Sequence, residues 1–378
     1  MIQIQFLDKN VVSALVPVFS MKPERVIFLY DTKECGENLL KEVAEALKSR
    51  MPKLEIQYER TNMLSIEEVR GELENLIKVF GNREIQIEIT GGTEVMTACG
   101  LMAAREHNLT ATYVDFYSKH IINIFTRERL AEIRHVTLAD YLTAIGGKYM
   151  SSSRHTPEEK DYERILSMAK VIFSNEKKWD KFFTHMTHGF SAKGVMDFSM
   201  GENKDDRDCQ FILDAFLERG FAKKIGEDRY RFNSEADKEY MTVSGIWLEA
   251  YVYIQAKQCF DEVYMGVDID WNKRDICESR DNEIDVVIMK NSQPIFISCK
   301  MRPIEKETVY EIYAMAKRLG GNLGRALIAT TFDVRSGKDE RNSIYLRMAK
   351  MKVGLIESKD FIRQNPSEVF TRALRMTK

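Results

Sequence analysis

Arg25–Val26–Ile27–Phe28–Leu29–Tyr30 constrains the fold most. A short run this apolar suits a central strand buried on both faces, which requires a parallel sheet with helices on each side. The flanking residues keep that pattern. Strands are predicted over 2–6, 54–58, 84–89, 110–116 and 121–125, and helices over 11–19, 38–47, 66–79 and 93–106. The last two strands are joined by a turn near Ser118–His120. Residues 1–135 are therefore expected to form one α/β domain.

A chain of 378 residues has room for two or three domains. Residues 136–240 read as a linker and a mostly helical segment. Gly146, Gly147 and Ser151–Ser153 suit a hinge within His135–Arg154. Phe221–Ile225 and Arg229–Phe232 flank Gly226–Glu227–Asp228 as a hairpin. A helix followed by such a hairpin is the outline of a winged helix. Residues 241–378 start with a helix at 246–260 and then a strand at 262–267. Two more strands, 283–289 and 294–299, are joined by the turn Lys290–Gln293. A helix at 308–319, a strand at 325–330, a helix at 339–351 and a strand at 353–356 complete the pattern.

Several function classes are excluded. The 56 Lys and Arg against 58 Asp and Glu leave a net charge of -2, which argues against a polyanion binder of histone type. No apolar run approaches the ~18 residues of a membrane helix. Met1–Gln5 alternates as a strand and lacks the pattern of a signal peptide. Six scattered cysteines without a CxxC pair suit reduced thiols, and the chain is expected to be cytoplasmic. All six histidines lie at or before His188, so chemistry in the C-terminal half runs without histidine. His185 and His188 lack a third ligand nearby and read as non-metal residues, and Trp247 reads as core.

Thr90–Gly91–Gly92–Thr93–Glu94 sits between a strand and a helix. Glycines let a ligand approach the main chain, and the following helix aims unpaired N–H groups at the gap. The loops Leu7–Asn10 and Asp31–Lys33 should share that sheet edge. Lys9, Asn10, Thr32, Thr93 and backbone amides would suit a phosphorylated nucleotide ring. The same residues also read as a plain strand-to-helix turn with Thr93 as its cap. Neither a GxGxxG nor a GxxxxGK(S/T) motif is present.

The strand, Thr90–Thr97 and the small-residue helix after it resemble the signature loop of CARF domains, the Rossmann-like sensors of CRISPR-associated proteins. The resemblance implies a cyclic oligoadenylate bound across a homodimer interface by Gly91, Gly92, Thr93 and Glu94, with Asp8, Lys9 and Asn10. Glu94 departs from the family, which often has a basic residue there.

Asn282–Ile288 carries Asp285, and Ile295–Lys300 ends in Lys300. In a hairpin the two can face each other, a pairing that suits metal-assisted phosphodiester hydrolysis. These residues resemble the PD-(D/E)xK motif of restriction-endonuclease-like nucleases. Asp285 and Lys300 match its aspartate and lysine, and Glu249 matches its helix acid. Cys299 would offer its backbone carbonyl to the metal. Ser298 stands where the family has a second acid, and Glu249, Glu283 or Glu311 could compensate. Residues 249–285 hold 10 acidic against 4 basic residues, and 286–378 hold 18 Lys and Arg against 9 Asp and Glu. Arg302, Lys306, Arg318 and Arg335 are candidate contacts to a nucleic-acid backbone.

Together the two resemble the CRISPR ancillary nucleases of type III antiviral defence. The resemblance implies a homodimer that binds cyclic tetra-adenylate and then cuts DNA or RNA with Mn²⁺ or Mg²⁺. Asp285 and Glu249 would be ligands and Lys300 the catalytic lysine. The alternative is a ligand-sensing transcription regulator, with DNA bound by the winged helix and a degenerate nuclease-like domain.

Overall fold

The computed structural model describes residues 1–81, 83–150, 156–188, 196–243, 245–271, 283–321, 323–335 and 340–377. Ser151–Ser153, Cys277 and Asn282 lie outside them.

The first sheet has seven strands. They are β1 (Ile2–Phe6), β2 (Arg25–Tyr30), β3 (Glu55–Arg60), β4 (Ile85–Glu88), β5 (Thr110–Asp115), β6 (His120–Asn123) and β7 (Arg129–Glu132), in the order β3-β2-β1-β4-β5-β6-β7. Pairings from β3 to β5 are parallel, and β6 and β7 add an antiparallel edge. The crossovers are α1 (Val11–Met21), α2 (Glu37–Arg50), α3 (Ile66–Phe80) and α4 (Glu94–Glu106). Val26 to Leu29 are fully buried, as their apolar run requires. The alternating polar residues of β1 and β4 are buried too. Gln86 donates to Gln3, Gln3 to Gln5, and Gln5 to the Ala14 carbonyl of α1. A polar sheet face thus packs under a helix with its hydrogen bonds made.

The expected hinge is, up to Met150, regular structure. Thr137 and Asp140 form a capping box that starts α5 (Leu138–Ala144). Next, β8 (Lys148–Met150) pairs antiparallel with β12 (Glu262–Asp270) in the C-terminal sheet. Two short elements read as a linker because neither is long enough to show a period.

The middle segment holds α6 (Tyr162–Ser174), α7 (Glu176–His188), β9 (Asp197–Phe198), α8 (Arg207–Glu218), β10 (Ala222–Gly226), β11 (Arg229–Phe232) and α9 (Glu235–Thr242). Its small sheet has the order β10-β11-β9, all antiparallel. Helices followed by this arrangement form a winged helix. It is joined to the next helix, α10 (Ile246–Lys257), by aromatic packing. Trp247 is fully buried, with Trp179, Phe216, Phe221 and Tyr240 at ring-centroid distances of 5.1 to 6.2 Å.

The C-terminal sheet continues with β13 (Glu283–Lys290), β14 (Gln293–Lys300), β15 (Arg325–Thr330) and β16 (Val353–Glu357). Its order is β16-β15-β14-β13-β12-β8. The strands β12 to β14 form an antiparallel meander, and β14, β15 and β16 run parallel. The helix α11 (Lys306–Gly320) makes the crossover from β14 to β15. After it come α12 (Glu340–Lys350), α13 (Ser358–Arg363) and α14 (Pro366–Arg375). The succession α10, three antiparallel strands, α11 and a parallel strand is the restriction-endonuclease-like core.

Trp247→Ala should open a cavity where the winged helix meets the nuclease core and cost about 3–5 kcal/mol. Equilibrium denaturation in urea measures it.

Candidate active site and sensor crevice

The period of two in β14 sorts its side chains between two cores. Ile295, Ile297 and Cys299 face the core that contains α10, while Phe296 faces the one that contains α11. Ser298 and Lys300 share the parity of Phe296. On β13, Val287 faces the α11 side, and Ile284 near the strand start joins that side too, so the alternation is broken there and Glu283, Ile284 and Asp285 all reach the same cleft. The register pairs Val286 with Ile297 and Val287 with Phe296. The paired residues end there, and one step beyond them Asp285 lies beside Ser298. Asp285 therefore meets the serine directly, and Lys300 lies two residues along on the same face. One Asp285 oxygen accepts the Cys299 N–H at 2.6 Å and the Ser298 hydroxyl at 3.4 Å.

These residues line a cleft of about 490 Å³ between the sheet and α11. Glu283, Asp285, Ser298 and Lys300 form its strand wall, and Thr308, Glu311, Met315 and Arg318 its helix wall. The helix residues recur at steps of three and four, one face of a helix. Two of the three acids expected to compensate for Ser298, Glu283 and Glu311, are thus in the cleft with Asp285 and Lys300. Glu249 is held elsewhere. It is 5% exposed in the first turn of α10, on the opposite side of the sheet, and is not among the cleft's lining residues. The Cys299 side chain faces that opposite core as well.

The donors in the cleft are carboxylates and a hydroxyl. All are oxygens, as Mg²⁺ or Mn²⁺ prefers. Among the described residues, no three His, Cys, Asp or Glu side chains come close enough to hold an ion unaided. One or two carboxylates completed by water and substrate phosphate remain a fitting set for such an ion.

At the N-terminal sheet, β1 lies between β2 and β4, so the strand order reverses beside it. Ligands bind at such a switch point, beyond the carboxyl ends of the strands. Asp8, Lys9 and Asn10 follow β1, Thr32 follows β2, and Gly91, Gly92, Thr93 and Glu94 follow β4, all at this edge. The N-termini of α1 and α4 point there too. A Cβ on Gly91 would lie 2.6 Å from the Phe6 carbonyl, and Gly92 has φ of 83°, so both positions need glycine.

Several expected ligand residues hold the loops together. Asp8 accepts the N–H groups of Asn10 at 2.7 Å and Gly92 at 2.9 Å, and burial raises its pKa. Thr93 caps α4 through the Met96 N–H and donates to the Met63 carbonyl at 2.8 Å. Lys9 pairs with Glu34, and Glu94 is exposed. Arg60, absent from the sequence-based list, donates to Thr32 at 3.4 Å. Its place at the end of β3 was the available signal. Beneath the loop, Glu88 accepts the Thr90 N–H and the Thr112 hydroxyl, each at 2.7 Å. Burial lifts its carboxyl to about 7 against these bonds.

The class is a doubly wound α/β domain joined through a winged helix to a restriction-endonuclease-like core. Residues 237–361 match the family model for the Card1-like endonuclease domain. Over its whole length the chain is similar to protein VC1899 from Vibrio cholerae, at 16% identity and a TM-score of 0.78, covering 100% of this chain and 98% of that one. It is similar to Can2 from Sulfobacillus thermosulfidooxidans, solved in complex with cyclic tetra-adenylate, at 18% identity and a TM-score of 0.68, covering 100% and 99%. A type III CRISPR defence DNA nuclease activated by cyclic oligoadenylate aligns at 16% identity and a TM-score of 0.52, over 87% of this chain and 45% of that one. The endonuclease domain and the shared fold support the resemblance to CRISPR ancillary nucleases. Among curated proteins, a 7-cyano-7-deazaguanine synthase from Rhizorhabdus wittichii is 28% identical over 181 residues, 45% of this chain and 76% of that one. That identity, over less than half the chain, assigns no family.

The sign of the Glu88 effect follows from linkage. Between its ordinary value of 4.5 and about 7, the folded chain holds a proton that the unfolded chain has lost. Stability from this group therefore falls as pH rises through that window. Denaturation between pH 5 and 8 should show the fall in the wild type, and Glu88→Gln should remove it.

Proposed function

We propose that this chain is a homodimeric nuclease of type III CRISPR defence, activated by cyclic tetra-adenylate and dependent on Mn²⁺ or Mg²⁺. The observation that carries this reading is the cleft in the Card1-like endonuclease domain, which joins Asp285 and Lys300 to Glu283 and Glu311. The switch-point crevice and the cyclic tetra-adenylate in Can2 support the activator. Residues 1–135 act as the sensor, 136–240 as linker and winged helix, and 241–378 as the nuclease. The exposed residues Ala98 and Met102 on α4, beside the crevice, suit a second copy of the chain. No helix among the described residues is long and apolar enough to cross a membrane, in keeping with a cytoplasmic site of action.

Asp285 would hold the ion with Glu311 or Glu283, and the Cys299 carbonyl would be a further oxygen. Bound there, the ion polarises the phosphate and lowers the pKa of the attacking water. Lys300 stabilises charge developing on the phosphate. Arg318 on the helix wall meets the nucleic-acid backbone.

The second reading is a transcription regulator, and Ser298 is the observation that favours it. The exposed face of α8, the helix that would enter a groove in a winged helix, carries Arg207 and Phe211 in its first turns and then Asp214 and Glu218. Those carboxylates repel phosphate, so the nuclease reading is preferred.

Purified protein with Mn²⁺ should cut single-stranded DNA, single-stranded RNA or supercoiled plasmid only when cyclic tetra-adenylate is present. Lys300→Ala should slow cleavage about 10²–10³-fold. Full activity in that variant, or messenger binding without cleavage of any substrate, would defeat the reading. Mn²⁺ binding followed by electron paramagnetic resonance should weaken in Asp285→Asn. Comparing Glu311→Gln with Glu283→Gln identifies the second acid.

A further inference from the structure

Between sensor and nuclease, α5 is tied to both sides by specific polar contacts. On the sensor side, Arg50 at the end of α2 lies 3.2 Å from Asp140 and donates to the His135 carbonyl at 3.0 Å. The guanidinium stacks on the Phe19 ring of α1 at 4.7 Å. Asp140 is 7% exposed and is also the capping-box acid of α5, so its position fixes the first turn of that helix. On the nuclease side, the buried Tyr141 hydroxyl donates to the Leu319 carbonyl at 2.5 Å. Leu319 ends the α11 face that carries Glu311, Met315 and Arg318 into the catalytic cleft. Two further links bind the same segment to the nuclease. The Val136 N–H donates to the buried Ser292 hydroxyl at the β13–β14 turn, and β8 extends the catalytic sheet. Val43 and Leu47 of α2, Leu142 of α5 and Ala316 of α11 belong to one continuous core.

We infer that α5 is the coupling element, with Arg50–Asp140 taking up movement of the sensor and Tyr141–Leu319 passing it to the helix wall of the nuclease cleft. The inference rests on the proposed activation by messenger and names the residues that transmit it. A shift of α2 relative to β1 carries Asp140 with it. Asp140 and Tyr141 are adjacent on a two-turn helix, so the tyrosine hydroxyl moves as one body with the carboxylate. The Leu319 carbonyl follows, or its hydrogen bond breaks inside the core. Breaking it leaves a buried acceptor unpaired, which discourages the intermediate and favours two discrete arrangements. Tyr141 is thus a positioning residue, acting on the cleft through α11.

The test measures two quantities on the full-length protein. One is the ratio of cleavage rates with and without cyclic tetra-adenylate at saturating Mn²⁺. The other is messenger affinity by calorimetry in the absence of nucleic acid. The variants are Tyr141→Phe, Arg50→Met and the double substitution. Each single variant should bind messenger within about threefold of wild type and lose about fivefold or more of the activation ratio. The double variant should lose no more than the larger single loss, because both act on one relay. Wild-type activation in Tyr141→Phe, or losses that multiply in the double variant, would overturn the coupling role alone. A wild-type protein that binds messenger without any rate change would overturn the activation reading and the relay with it. Arg50→Met removes the guanidinium, with its contacts to Asp140, the His135 carbonyl and the Phe19 ring, and leaves the Tyr141 hydroxyl in place, so it tests the relay independently of that buried group.

Discussion

The alternation of β14 is the constraint from which the catalytic face follows. A strand presents successive side chains to opposite faces, and a slip of one residue would exchange them all. Here Ile295 and Ile297 enter the core under α10 while Phe296 enters the core under α11. Both faces are apolar and covered, so hydrophobicity alone would tolerate either register. Polar residues at the strand end break the tie. Asp285 takes the Cys299 amide, and Lys300 lines the cleft beside α11. In the opposite register Ser298 and Lys300 would face the aromatic core around Trp247 and Tyr251, where an unpaired ammonium costs several kcal/mol.

Much of this was legible in the sequence because the relevant periods are long and clean. Arg25–Tyr30 announced an interior strand buried on both faces, though it lies second from the sheet edge and not at its centre, and the two runs around Lys290–Gln293 announced the hairpin that carries Asp285 and Lys300. Glu283 and Glu311 were named as candidates from parity and helix placement, and both line the cleft. Glu249 was named by motif order, and it is buried in the first turn of α10, outside the residues that line the cleft. The buried polar face of β1 and β4 was hidden for another reason. Gln3, Gln5, Gln86 and Glu88 alternate as they would in a half-solvated strand, and only tertiary packing shows that α1 covers them. The short elements α5, β8 and β9 span too few residues for any period to appear.

The sensor loops show how one set of residues can serve stability and binding in turn. Asp8 occupies the Gly92 amide, a donor that the helix N-terminus would otherwise offer to an anion. In the proposed sensor, a phosphate at the crevice would meet Lys9, Asn10, Thr32 and Arg60 at the rim, with Asp8 behind them. Burial disfavours the charged form of Asp8, and its three hydrogen-bond donors favour it. Any rearrangement that frees the Gly92 amide must find Asp8 new partners. The most direct movement is of the β1–α1 loop together with α1, whose Phe19 ring lies under Arg50.

The magnitudes suit a switch of this kind. Coupling between sites is typically ~1–3 kcal/mol, a factor of about 5–150. A net intramolecular hydrogen bond contributes ~0.5–1.5 kcal/mol, and one involving a charged group ~1.5–3. The contacts on the two sides of α5 are one of each kind, Tyr141 with Leu319 and Arg50 with Asp140. Their sum, about 2–4.5 kcal/mol, overlaps the upper part of the coupling range and stays below the ~5–15 kcal/mol that holds a domain folded. A relay made of the aromatic packing around Trp247 would be too strong to rearrange at each signal. A surface ion pair alone would be too weak to be felt across the interface. The two-turn helix lies between these limits.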